Sequence, residues 1–173
     1  MARTPGDDEA ISSEVVRLLA AEIRDWMSES AAGIIFGFTR EGRIDRPACA
    51  ALLAAAPPIP CVFHRAFDTL PDPVAALEEI IALGFRRVLT SGGSGTVSER
   101  VAALERLVDV AAGRIEILPG GGLRAENAAA IRNTQGILWV HSSCRSAADP
   151  ARFSADEFAR LREALSEVPN AVE

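Results

Sequence analysis

Apolar residues run almost unbroken through five short segments that recur at intervals of about 25 residues. These are Gly33 to Phe38, Pro60 to Phe67, Arg86 to Ser91, Arg114 to Pro119 and Gly136 to Ser142. Their centres lack the polar alternation of a half-exposed strand, so they read as parallel strands covered on both faces. Between them the apolar period changes to that of a helix. Asp72-Pro73 opens one such stretch, Val74, Leu77, Ile80 and Ile81 form its stripe, and Gly84 ends it. Asp45 to Ala55, with Pro47 in its first turn, follows the same logic. So does Ser98 to Ala112, where Val101, Leu104, Leu107 and Val108 line one face ahead of Gly113. A shorter helix is predicted to open near Ala125. At the ends, Glu9 to Met27 aligns Ile11, Val15, Leu18, Leu19, Ile23 and Trp26, and Ser154-x-x-Glu157 forms a capping box before Phe158, Leu161 and Leu165. The predicted order is α(βα)5.

Strands and helices that alternate over short connections make a parallel sheet with right-handed crossovers, and a regular period favours a barrel over an open sheet. A dinucleotide fold would place its glycines after the first strand. Here that turn reads FTREGRID, and the three consecutive glycines follow the fourth strand. The expected fold class is therefore α/β, a partial TIM (β/α) barrel of five parallel strands in a single domain over residues 1–173. Five strands cannot close a cylinder that needs eight, which leaves two sheet edges and part of the inner face uncovered. A homo-oligomer, or a chain completing the barrel, is the expected remedy.

Composition narrows the function. At 49% hydrophobic the chain has no apolar run of the roughly 18 residues that a membrane span needs, and MARTPGDDEA lacks the features of a signal peptide. A cytoplasmic location and no membrane partner are expected. Cys49, Cys61 and Cys144 are too scattered for a disulfide framework or a CxxC metal pair. Net charge is −6 and the 18 basic residues are dispersed, which speaks against nucleic acid. All 18 are arginine, so these residues supply no amine for Schiff-base or pyridoxal chemistry and no P-loop lysine.

In barrels of this class chemistry collects at the C-terminal ends of the strands. There the sequence places His64, Arg65 and Asp68 after the second strand and Thr90, Ser91 and Gly92 after the third. Gly120, Gly121, Gly122, Arg124 and Asn127 follow the fourth, and His141, Ser142 and Ser143 the fifth. His64 and His141, the two histidines, are candidates for acid–base work, with a hydrogen-bonded barrel-layer role as the alternative. Arg65 suits a carboxylate or phosphate and Asp68 suits orienting it, against a purely structural ion pair. The GGGLRAEN turn, with Ser91, Gly92, Ser142 and Ser143 beside it, suits an anion at a helix N-terminus, against a turn that simply needs positive φ. Cys49, Cys61, Trp26 and Trp139 read as packing residues.

Four of these strand ends carry VFHRAFD (Val62 to Asp68), RVLTSG (Arg87 to Gly92), PGGGLRAEN (Pro119 to Asn127) and VHSS (Val140 to Ser143). Together, and in this order, they resemble the copper homeostasis CutC family from about Glu9 to Ser143. The resemblance implies a cytoplasmic (β/α)8 barrel whose strands four to eight are the five found here. RTPGDD (Arg3 to Asp8) then looks like the tail of the loop after strand three. The family's first three strands, with their glutamate and cysteines, have no counterpart. Copper(I) favours thiolate, thioether and imidazole, so a copper site in this chain would draw on Cys144, His141 and His64. No organic cofactor is indicated. Two functional readings follow: copper binding in copper homeostasis, or a barrel enzyme or remnant acting on a small phosphorylated or carboxylated metabolite. A non-catalytic assembly partner is the third.

Overall fold

The computed structural model describes residues 11–28, 31–56, 58–145, 149 and 151–166. Helix α1 (Ser13–Ser28) leads into strand β1 (Ile34–Phe36), a small hairpin of β2 (Thr39–Arg40) and β3 (Arg43–Ile44), and helix α2 (Arg46–Ala55). Strand β4 (Cys61–Phe63) is followed by a 3-10 turn (Arg65–Thr69) and α3 (Pro73–Leu83). Then come β5 (Arg87–Thr90), α4 (Val97–Ala111), β6 (Glu116–Pro119), α5 (Ala125–Arg132) and α6 (Ala155–Ser166). β1, β4, β5 and β6 form one sheet in that order, with every pairing parallel.

Local chemistry sets most boundaries. Asp72 accepts from the amides of Val74 and Ala75, Pro73 starts α3, and Gly84 ends it in the left-handed region at φ 94°. Asp45 caps α2 through the Ala48 amide. α4 begins one residue before its predicted start because Thr96 and Glu99 form a reciprocal capping box. The hairpin was not anticipated. Its signal is Glu41-Gly42, both at positive φ, the conformation that closes a two-residue hairpin.

Strand alternation sorts the two sheet faces. Ile34, Phe36, Cys61, Phe63, Val88 and Ile117 join the buried core beneath the helices. Phe63 and Phe85 meet there edge to face at 5.3 Å, and Phe36 packs on Phe85 at 5.1 Å. On the other face Ile35, Val62, Arg87 and Glu116 lie in one row by strand register. Helix α1 corrects its predicted stripe. Ile23 is buried, with Ile11, Val16, Leu19 and Ala20 packed behind it, while Leu18 and Val15 face outward. The predicted start at Glu9 and the RTPGDD segment lie outside the described residues.

The fifth predicted strand does not form. Across Gly136 to Ser142 the main sheet link is a single backbone bond, from the His141 amide to the Pro119 carbonyl at 2.8 Å. Leu138 is 77% exposed and Trp139 60%. What is missing is cover: β6 offers an edge, but the Leu138 and Trp139 side chains join no core face. The chain then turns away, with the Ser142 hydroxyl bound to the Leu123 carbonyl and Cys144 at φ 42°. The observed order is α(βα)4, an irregular segment and a last helix.

Candidate functional site

Because all four strands run the same way, the residues that follow them gather on one edge of the sheet. Asp68, in the 3-10 turn after β4, reaches across to the end of β5. Its Oδ1 accepts from the Thr90 hydroxyl at 2.6 Å, and its Oδ2 accepts from the Ser91 hydroxyl at 2.8 Å and from Arg65 Nε at 2.8 Å. The Ser91 amide adds a bond shared between both oxygens at 3.1 Å. Thr90 and Ser91 are buried. The carboxylate is saturated by these donors, so Asp68 is a tether between β4 and β5 and a holder for Arg65.

Arg65 is thereby fixed by one edge of its guanidinium while half of the side chain remains exposed. The rest of that group lies against the glycine turn after β6. A Cβ on Gly121 would fall 2.6 Å from Arg65 Cζ and 2.7 Å from Nη1, and Gly121 is at φ 83°. Glycine is required there on both counts. The turn is held from three sides. Gly120 donates to the Thr90 carbonyl, Arg100 Nη2 donates to the Gly121 carbonyl at 2.9 Å, and Asn127 Nδ2 donates to the Gly122 carbonyl at 3.0 Å. The amides of Gly121 and Gly122 donate to no acceptor among the described residues.

Arg100 was not singled out in the sequence. From α4 it binds the Ser91 carbonyl through Nε at 2.7 Å and Gly121 through Nη2, linking the β5 and β6 turns. Gly92, at φ 79°, makes room for it, since a Cβ there would sit 2.5 Å from the Arg100 carbonyl oxygen. Nothing in the helical stripe distinguishes Arg100 from the other dispersed arginines, and only the return of α4 over the sheet brings it to the rim.

His64 lies at the end of β4 on the open side of the sheet. Its Nδ1 accepts from the Ala66 amide at 3.2 Å, capping the 3-10 turn, and its ring meets Phe63 edge to face. Gly37 of the neighbouring strand leaves it space, a Cβ there coming within 3.0 Å of Nδ1. His141 is exposed beside Gly120, whose Cβ would meet it at 3.2 Å. Ser142 is turned inward toward Leu123, and Ser143 is exposed. Arg124 donates to the Leu123 carbonyl and to Ser142, away from a ligand role.

The helix N-terminus expected to cradle an anion is already taken. Glu157 of α6 accepts from the Ala125 amide at 2.9 Å, placing a buried carboxylate at the start of α5. Only half of the predicted capping box therefore forms. Ser154 Oγ accepts from the Glu157 amide, while the Ser154 amide goes to the Cys144 carbonyl and Glu157 crosses to the neighbouring helix.

The thiols are sealed. Burial pushes Cys49 up to about 11 and raises Cys61 as well. Cys61 begins β4 and so lies at the opposite end of the sheet from His64. Cys144 is buried next to Ser142. Among the described residues no three His, Cys, Asp or Glu side chains converge to hold a metal ion, so His64, His141 and Cys144 do not meet as a set. No described helix is long and apolar enough to cross a membrane.

Comparisons with known proteins agree with this fold. An aldolase of 17% identity superposes with a TM-score of 0.61 over 88% of this chain and 69% of its own, a likeness of fold alone. A solved structure from Streptococcus agalactiae, described as a copper homeostasis protein CutC, is 30% identical with a TM-score of 0.73, covering 81% of this chain and 68% of that one. The copper homeostasis protein cutC homolog of Mus musculus is 44% identical over 100 residues, which are 57% of this chain and 37% of that protein. The matched segment is thus well under half of that relative's length. The model of the CutC family matches residues 1–146, and with the strand-end motifs on one rim of a parallel sheet, this chain belongs to the CutC family.

Proposed function

We propose that this chain works in copper homeostasis, as the names of its relatives say of them, and that its molecular task is to hold a small carboxylate- or phosphate-bearing molecule at the strand-end rim. The observation that supports this is Arg65. Asp68 grips it through Nε, and the rest of the guanidinium lies over Gly121, in a turn where the Gly121 and Gly122 amides have no acceptor among the described residues. A guanidinium and a pair of glycine amides form a donor set for a planar or tetrahedral anion. Glu157 at the start of α5 keeps the anion off that helix and confines it to the Arg65–Gly121–Gly122 corner. His141, exposed beside Gly120, is a ring placed to assist proton transfer on a bound molecule. A copper(I) thiolate centre finds less support, because Cys49, Cys61 and Cys144 are all buried.

Calorimetric titration with inorganic phosphate and with malonate tests the anion reading. Saturable binding that falls about tenfold or more in Arg65→Gln is expected. No heat at millimolar ligand, or an unchanged affinity in the variant, rejects it. Copper(I) titration against a chromophoric chelator tests the cargo reading, which is rejected by an affinity no better than that of an unfolded thiol peptide.

A further inference from the structure

The far end of the sheet carries a second recess unrelated to the rim. It is a cleft of about 630 Å³. The starts of β4, β5 and β6 form its floor, and the C-terminal ends of α2 and α3 with the loop before β4 form its walls. The walls are apolar, built from Leu53, Ile59, Pro60 and Leu83. The floor is charged. Glu116 receives Arg87 Nε at 2.6 Å on one oxygen and Arg86 Nε at 3.3 Å on the other. Arg87 is further held by Trp139, whose ring centre is 5.8 Å from its Cζ.

Two guanidiniums share one carboxylate, and both use their Nε edge for it. Among the described residues that line the cleft, the remaining titratable group is the Cys61 thiol, which burial pushes up. At the ends of the two helices, Gly84 donates to the Ile80 and Ile81 carbonyls and Ala56 donates to the Leu53 carbonyl. One positive charge is thus left over among apolar walls. We infer that this basal cleft binds a small amphipathic carboxylate, its head on the free Nη edges of Arg86 and Arg87 and its apolar body along Leu53, Ile59 and Leu83. The volume falls within the few-hundred-to-thousand Å³ range of small-molecule sites. Glu116 acts as a competing internal carboxylate that sets the affinity.

Octanoate is the probe, titrated into the intact chain and followed by ¹H–¹⁵N NMR. The expected result is a saturable shift of the Arg86 and Arg87 Nε–H signals together with the Ile59 and Leu83 amides. Arg86→Gln, at a largely exposed side chain, weakens binding by roughly three- to fivefold. Glu116→Gln strengthens it by a similar factor, a gain that a damaged fold would not produce. Arg65→Gln leaves octanoate binding unchanged, which separates this cleft from the rim. The inference is overturned if octanoate gives no saturable shift, if 1-octanol binds equally well, or if Arg86→Gln and Glu116→Gln both leave the affinity where it was.

Discussion

β6 is paired along its whole length with β5, whereas the segment that follows it, Gly136 to Ser142, joins the sheet essentially at one point. β6 pairs with β5 along Arg87–Glu116, Val88–Ile117, Leu89–Leu118 and Thr90–Pro119. Ile115 and Ile117 are buried in the core, and the end of β5 is tied back to β4 through Asp68. The later segment has an equally strand-like sequence, GILWVHS, yet Leu138 and Trp139 stand in solvent. What separates the two regions is burial: Ile115 and Ile117 of the paired region lie in the core, while Leu138 and Trp139 find no such cover. Side-chain propensity becomes a strand where pairing along its length and burial of a face support it.

That contrast is open to direct attack in the locked region. Asp68→Ala is expected to have the largest effect, about 3 kcal/mol lost in urea denaturation, because it strands the buried Thr90 hydroxyl and the Ser91 amide and releases Arg65. A loss below about 1 kcal/mol would mean that the β4–β5 tether is not what locks the sheet.

A second effect belongs to the same packed half and depends on pH. The folded Cys49 thiol titrates at about 11 against an ordinary 9.0, chiefly because burial removes the thiolate from water. The unfolded chain therefore loses its proton first as pH rises. Stability is intact below pH 9 and falls between 9 and 11, by as much as roughly 2 kcal/mol from this group. Cys49→Ala flattens that part of the profile, and denaturant midpoints taken every half pH unit measure it.

The smallest change is expected in the loosely held segment. Trp139→Ala removes a largely exposed ring and its stacking on Arg87, at a cost under about 1 kcal/mol. A much larger loss would show that Gly136 to Ser142 is as firmly seated as β6 and would dissolve the contrast.

The helices were legible because their signals are local. Asp72, Pro73 and Gly84 mark α3 within a dozen residues, and Asp45 and Pro47 mark α2. The strand-end candidates were legible for a related reason: a parallel sheet sends every strand end to one rim, so strand assignment alone collects His64, Arg65, Ser91, Gly121 and His141. Partners were not legible. The sequence left open whether Asp68 orients Arg65 or His64 for a ligand or makes a purely structural pair with Arg65, and the fold shows it binding Arg65, Thr90 and Ser91 together. It placed Glu157 in a capping box, and helix packing sent its carboxylate to α5 instead.

From its residues alone this chain is an alternation of strand-like segments and capped helices with a glycine turn in the fourth repeat, since each of these signals spans only a few residues. The tertiary structure decided what those residues face. Arg100 meets Gly121 across 21 positions, Asp68 meets Ser91 across 23, Arg87 meets Glu116 across 29, and Gly136 to Ser142 meets β6 through the His141 amide. Pairings at such separations depend on how complete elements stack, and the free energy that chooses among them comes from burial that no single segment contains.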